Sequence, residues 1–302
     1  MASLGDRGPL AAFIASSVLA GGNAVCVRFT NRELAPLWGA GLRFALAAVL
    51  LVALMLARRL PFPRGRKLGG AVVFGLLNFA GAFAFAYYAL ERLQAGLGQT
   101  ILALTPLATL LLAVAQRQEG LRWASIAGAG IAVVGVAVIS GPSIGHAVPV
   151  LSLLASLGAV LCFGEATVVA RRFRSVDPIT MNAVGMTAGA IALILGAVIA
   201  RNPIELPQRG ATWAALAYLV PVGSVVVFVL FLYVVRRWGA SRAAYGFVLI
   251  PPVTVVVSWW LLDEPVTRSL VIGGLLVLAG VYVGALRPAA AEAVKEAPTT
   301  SR

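Results

Sequence analysis

Stretches of about 20 apolar residues, each bounded by a few charged ones, recur from one end of this 302-residue chain to the other. At 1.5 Å per residue a helix of that length crosses the roughly 30 Å hydrocarbon core of a bilayer. The runs fall at 10–27, 35–57, 68–90, 94–115, 123–140, 149–170, 178–200, 210–235, 243–262 and 269–286, which makes ten candidate spans. The uncharged block from Trp123 to Gly164 is too long for one helix, and the breaker cluster Ser140-Gly141-Pro142-Ser143-Ile144-Gly145 divides it. Beyond Arg287 the chain turns to Ala, Glu, Lys, Pro and Thr and reads as a disordered tail. With 60% hydrophobic and only 12% charged residues, the chain lacks the polar surface of a water-soluble globule.

A net charge of +13 would suggest nucleic-acid binding in a soluble protein. Here the basic residues sit in the gaps between apolar runs, so they report topology, and no nucleic-acid partner is expected. With the N-terminus inside, one set of segments holds Arg7, Arg58, Arg59, Arg64, Arg66, Lys67, Arg117, Arg122, Arg171, Arg172, Arg174, Arg236, Arg237, Arg242, Arg287, Lys295 and Arg302. The other holds only Arg28, Arg32, Arg92, Arg201, Arg209 and Arg268. Short loops rich in Lys and Arg stay in the cytoplasm, which places both termini there. Cys26 and Cys162 lie inside apolar runs without ligand-spaced partners, and the single histidine, His146, lies in the breaker-rich loop. Neither a metal site nor a cofactor is expected.

The chain repeats itself. A slide of 145 residues lays Tyr88 on Tyr233, Ala95 on Ala240, Pro106 on Pro251, Glu119 on Glu264, Gly128 on Gly273 and Gly135 on Gly280; a slide of 142 lays Gly22 on Gly164 and Pro36 on Pro178. Residues 1–145 and 146–290 are therefore two copies of one five-helix unit, followed by a tail over 291–302. The first run, a copy of the sixth, is a retained span and not a cleaved signal peptide. Five is odd, so the second copy enters the membrane from the opposite side. The expected fold is an all-α integral membrane protein with ten transmembrane helices in a 5+5 inverted repeat. Exchange of conformation between such halves opens a central site to each face in turn, as in secondary transporters.

The segment Leu104-Thr105-Pro106, Glu119, Gly128 and Gly135, repeated as Ile250-Pro251-Pro252, Glu264, Gly273 and Gly280, resembles the duplicated EamA-type unit of the drug/metabolite transporter superfamily. Pro36 with Arg43 also resembles that family's pattern, and the similarity covers residues 10–286. The resemblance implies ten helices and export of amino acids or related small metabolites across a bacterial inner membrane, including a YddG-like branch that exports aromatic and other neutral amino acids. A carrier of sugars or nucleotide conjugates, or an uptake permease, is the alternative.

Polar groups inside spans are expensive, and Arg43 and Glu165 are the charged residues deepest within them. Arg43 lies about seven residues, roughly 10 Å, below the outer face, and Glu165 about six residues, roughly 9 Å, from the inner one. In a core of about 30 Å that leaves them on the order of 10 Å apart in depth, which argues against an ion pair. For Arg43 two readings stand: a guanidinium that attracts a substrate carboxylate, or a structural group that snorkels outward or is tethered to helix-end carbonyls. For Glu165 they are a functional carboxylate, which couples protons or contacts a substrate amine, and a carboxyl satisfied by its neighbours. Its repeat position is Asn23, a polar point on the first helix.

Asn78, Phe85 and Tyr88 are spaced to share one face of the third helix. Gln99 and Thr100 open the fourth, with Ala244 and Tyr245 as their repeat positions, and Ser224 lies mid-depth in the eighth. Such a set suits a small amphipathic substrate or, equally, hydrogen bonding between helices. Pro106, Pro251 and Pro252 read as hinges. Gly185-x-x-x-Gly189 and Gly280-x-x-x-Gly284 allow close helix approach within a monomer or in a weak homodimer. Glu119 and Glu264 are read as structural, each placing negative charge at the start of the helix that follows. With membrane lipids as surroundings and a small molecule as substrate, the chemistry is transport; no paired carboxylates or Cys/His sets support an enzyme.

Overall fold

The structure, a computed structural model, describes residues 7–117, 123–140, 149–238, 240–244 and 246–283. The described residues form helices and no strands: α1 (Arg7–Gly21), α2 (Asn23–Asn31), α3 (Pro36–Ala57), α4 (Arg66–Gly75), α5 (Ala82–Leu90), α6 (Ala95–Leu102), α7 (Thr105–Ala115), α8 (Trp123–Ser140), α9 (Val150–Arg172), α10 (Pro178–Ile199), α11 (Gly210–Leu219), α12 (Val227–Trp238), α13 (Ala240–Ala244), α14 (Gly246–Leu262) and α15 (Arg268–Val281). Among the described residues seven stretches are long and apolar enough to cross a membrane: 8–31, 36–57, 66–90, 95–115, 150–172, 178–199 and 210–238. Shorter apolar helices follow at 246–262 and 268–280. The chain is a multi-pass membrane protein.

Local sequence fixes where the helices start. Pro36 and Pro178 occupy first-turn positions, where a missing N–H costs nothing, and the Asp177 side chain accepts from the Ile179 amide at 2.8 Å. Thr267 caps α15 by accepting from the Leu270 amide at 3.1 Å. Two spans are widened by π-turns, Leu76–Gly81 between α4 and α5 and Pro221–Val226 between α11 and α12. Two others are interrupted. The first bends at Gly22, where Tyr218 OH donates to the carbonyl of Leu19 and Thr254 Oγ1 to that of Gly21 (2.7 Å). The fourth breaks at Ala103-Leu104 ahead of Pro106, and Thr105 Oγ1 takes up the Leu102 carbonyl that proline leaves without a donor (2.6 Å). Pro251 and Pro252, by contrast, lie within an unbroken α14.

The broadest helix contacts join α3 to α10 and α8 to α15. Glycine permits them. A Cβ on Gly75 would lie 2.2 Å from the Gly185 carbonyl oxygen, one on Gly189 2.5 Å from Phe79 Cβ, and one on Gly280 2.6 Å from the Ala132 amide. The Gly185/Gly189 and Gly280 motifs thus pack within the chain.

Two polar clamps tie the halves together at the end of the helices where α2 terminates. Glu264, 8% exposed, accepts from the Ala95 amide (3.0–3.1 Å) and lies 3.3 Å from Arg28 Nε, while Arg28 also donates to the Leu93 carbonyl. The sequence expectation that Glu264 serves the start of its own following helix is corrected: Thr267 caps α15, and Glu264 caps α6. Glu119 lies outside the described residues. In the second clamp the Glu33 carboxylate accepts from the amides of Gln208 and Arg209 just before α11, and Trp38 Nε1 donates to the Glu205 carbonyl at 2.7 Å. At the opposite end Arg236 pairs with Asp177 at 3.7 Å.

Candidate functional site: a cavity between the halves

A cavity lies between α1, α2, α5, α6, α9, α12 and α14, with walls from both halves of the chain. Its polar lining is Ser16, Ser17, Asn23, Asn78, Tyr87 and Gln99, and no charged side chain lines it. The hydroxyls of Ser16 and Ser17 are taken up locally by the Phe13 carbonyl. Its apolar lining includes Phe83, Phe163, Phe228, Phe231 and Phe247. Phe83 centres these rings, with Phe163 at 5.3 Å and Phe228 at 5.9 Å, both edge-on. Edge-to-face packing fixes ring orientation as well as burying area. About 80 Å³ is open to the centre of a water molecule, well below the 300–1,000 Å³ typical of ligand pockets, so this conformation is nearly closed.

Arg43 stands one layer behind this wall, fully buried. Its Nε donates to Ser224 Oγ at 2.8 Å and its Nη2 to the Gly223 carbonyl at 2.9 Å, both in the second π-turn. The wider π-turn supplies these acceptors, because carbonyls in it are displaced from the α-helical ladder. Asn23 Nδ2 shares the Gly223 carbonyl at 3.2 Å, and Ser224 Oγ donates onward to the Leu219 carbonyl at 2.8 Å. The guanidinium lies over the rings of Phe44 (5.0 Å) and Phe83 (5.1 Å). An arginine at the centre of a membrane helix costs about 2.5–3.5 kcal/mol, and these contacts offset part of it. The tether to helix carbonyls is the structural reading of Arg43 made visible; whether it also serves a substrate turns on the unpaired donor described below.

Of the residues singled out from sequence, the structure brings Asn78 and Gln99 to the cavity and seats Ser224 beneath Arg43. It does not bring Tyr88, Thr100 or Glu165 there. Tyr88 is 40% exposed on the outside of the bundle, as is Phe85. The cause is the first π-turn: a turn that holds an extra residue rotates everything after it by about 100°, so Phe83 and Tyr87 join Asn78 on the inner face. Thr100 donates to the Gly96 carbonyl at 2.8 Å and faces Gly274 of α15. Glu165, half-buried, accepts from Gln116 Nε2 at 2.7 and 2.9 Å, away from Arg43, in keeping with the depth argument. Tyr245 lies outside the described residues. Sequence reasoning missed Phe83, Tyr87, Phe163 and Phe247, and only the polar repeat position at Asn23 pointed to that residue.

The EamA-like transporter family model matches the chain twice, over residues 7–141 and 150–285. A protein of Streptantibioticus cattleyicolor described as a probable terminal-alkyne amino-acid exporter is 29% identical, over 81% of this chain and 83% of its own. The inner membrane transporter YedA of Escherichia coli is 25% identical over 95% of each chain, and the transporter YyaM of Bacillus subtilis 26% identical over 88% and 89%. A crystal structure 19% identical in sequence superposes with a TM-score of 0.68, covering 92% of this chain and 97% of its own, which shows a shared fold. With both halves matched and a cavity between them, the chain belongs to the EamA-like transporter family.

Proposed function

We propose that this protein is a secondary transporter of the bacterial inner membrane that exports small metabolites, foremost amino acids with neutral or aromatic side chains. In this reading residues 1–145 and 146–290 are inverted five-helix repeats, the ten spans leave both termini in the cytoplasm, and the two halves alternate access to the cavity. One observation carries it: a cavity between two matched halves, with uncharged hydrogen-bonding groups beside an aromatic wall. Such a lining suits a molecule with a compact polar head and an apolar body. The amino-acid substrate and the outward direction draw support from the relative described as an amino-acid exporter.

In the same reading Asn78 and Gln99 contact substrate, and the break before Pro106 flexes as the halves exchange. Glu165 stands as the coupling carboxylate, with Gln116 holding it near one end of the bundle. Counterflow into proteoliposomes with a panel of amino acids, sugars and nucleotide sugars tests the reading. Exchange of at least one neutral or aromatic amino acid supports it, and movement of sugars or nucleotide conjugates alone sinks it.

A further inference from the structure

The charge behind the cavity wall is unbalanced. Ion pairs among the described residues join Arg28 to Glu264 and Arg236 to Asp177, and neither involves Arg43. The Arg43 guanidinium is a cation buried away from the surface. Its tether to the second π-turn occupies Nε and Nη2 but leaves Nη1 without an acceptor.

Two further buried polar atoms beside it lack partners: Tyr87 OH and Asn23 Oδ1. The three are neighbours. Asn23 and Arg43 share the Gly223 carbonyl, and a Cβ on Gly223 would lie 2.2 Å from Asn23 Oδ1 and 3.3 Å from Arg43 Nη2. Tyr87, fully buried, has its phenol within the field of the Arg43 guanidinium without closing a well-formed hydrogen bond to it. Asn23, Tyr87 and Phe83 all line the cavity, and the guanidinium lies over the Phe83 ring. Buried polar atoms are almost always paired, so two unpaired ones beside an uncompensated cation that itself has a free donor mark a place built for something that arrives and leaves.

We propose that Arg43 and Tyr87, with Asn23 beside them, form a carboxylate-selecting subsite of this cavity in which Arg43 and Tyr87 supply the donors, an inference that rests on its being the substrate site. The substrate carboxylate is the counter-charge that Arg43 lacks, and it accepts from Nη1 and from the Tyr87 hydroxyl once the halves part enough to admit it. The apolar body lies along the rings of Phe83 and Phe228. An amino group finds only neutral acceptors, Asn23 Oδ1 among them, and the ring faces, and no carboxylate lines the cavity. The carboxylate is therefore required and the amine is dispensable, a ranking that a general amino-acid carrier does not impose.

The test uses the full chain in proteoliposomes and two matched series of competitors: L-leucine, 4-methylpentanoate, leucinamide and 3-methylbutylamine; and L-phenylalanine, 3-phenylpropanoate, phenylalaninamide and 2-phenylethylamine. The readout is competition with flux of the amino acid in each series. In a series that is carried, the acid without an amine should compete within about threefold of the amino acid, and the amide and the amine about tenfold or more weaker. Tyr87→Phe removes one hydroxyl and should weaken both carboxylates about three- to tenfold while leaving the amide unchanged. Arg43→Gln should erase the preference and Arg43→Lys keep it in reduced form; if the glutamine variant does not fold, the lysine and phenylalanine variants decide. A purely structural Arg43 predicts no change in the acid-to-amide ratio in any variant. An amide or amine equal to the acid, or a ratio unmoved by Tyr87→Phe and Arg43→Lys, overturns the subsite while the transport reading stands. If neither amino acid is carried, the amino-acid reading fails and the subsite falls with it.

Discussion

Replacing Glu264 by glutamine tests how the two halves are held together. At 3.3 Å, in an effective dielectric near 20, the attraction between Glu264 and Arg28 is about 5 kcal/mol before desolvation. Desolvation cancels most of that, and breaking a fully buried pair costs about 3–5 kcal/mol. Arg28 is 24% exposed and keeps the Leu93 carbonyl, so its stranded charge is partly rehydrated. Glutamine also keeps an acceptor for the Ala95 amide. The expected loss for Glu264→Gln is therefore about 1–2 kcal/mol, and for Glu264→Ala, which uncaps α6 as well, about 2–4 kcal/mol. Arg28→Ala leaves the carboxylate buried without its counter-charge and should cost about 3 kcal/mol, more than the glutamine variant. Denaturant unfolding of the purified protein, followed by far-UV circular dichroism, measures all three. The Arg28→Ala/Glu264→Gln double variant should be less destabilised than the sum of its parts by about 1–2 kcal/mol. Additive effects would refute the clamp, since two residues that do not interact have no coupling to lose.

The cavity assignment expects Asn78→Trp to abolish transport with the folded protein still in the membrane, while Tyr88→Ala, on the outer surface, transports normally; parallel flux and membrane-yield measurements separate these outcomes. Gly75→Val should prevent stable folding, because even a Cβ there meets the Gly185 carbonyl at 2.2 Å, and recovery as a monodisperse peak in detergent would count against that contact. The Glu33 carboxylate is held below its ordinary value of 4.5, chiefly by a hydrogen bond from the Thr212 side chain and then by the Gln208 and Arg209 amides. Its folded value is the lower one, so its contribution is complete above 4.5 and is lost as pH falls through the folded value; protection of the two amides, corrected for intrinsic exchange, should fall at the acid end and not at neutral pH. A cysteine placed at Arg64 should resist an impermeant thiol reagent in intact cells, whereas rapid labelling there reverses the proposed orientation.

Much of the helical layout was legible because hydrophobic length and terminal punctuation agree. Runs read as 35–57, 94–115 and 178–200 become helical at Pro36–Ala57, 95–115 and Pro178–Ile199. Proline at the first turn and Asp177 as a cap make those starts local events. The first span was underestimated, since Arg28 and Asn31 continue the helix to the surface, where Asn31 Nδ2 reaches the Tyr87 carbonyl at 2.9 Å. The cavity face of the third span was not legible. A helical wheel assumes 3.6 residues per turn throughout, and the π-turn at Leu76–Gly81 breaks that assumption between Asn78 and Tyr88 without a proline or charge to announce it. Nor could spacing show that Glu264 serves α6, because its partner lies 169 residues away. Depth arithmetic did separate Arg43 from Glu165, since it needs only the direction of each helix and the thickness of the membrane.

Both ends of the second π-turn lie 145 residues after those of the first, the same offset that lays Tyr88 on Tyr233. A π-turn is an α-helix with one residue too many. The chain thus carries the same one-residue widening at a matching position in each of its two family-matched segments. The surroundings of the two turns differ. The first copy's turn is met by the bare backbone of Gly185 and Gly189, and the second copy's by the side chains of Arg43 and Asn23. One and the same local widening therefore seats a close backbone seam in the first half and anchors a buried cation in the second.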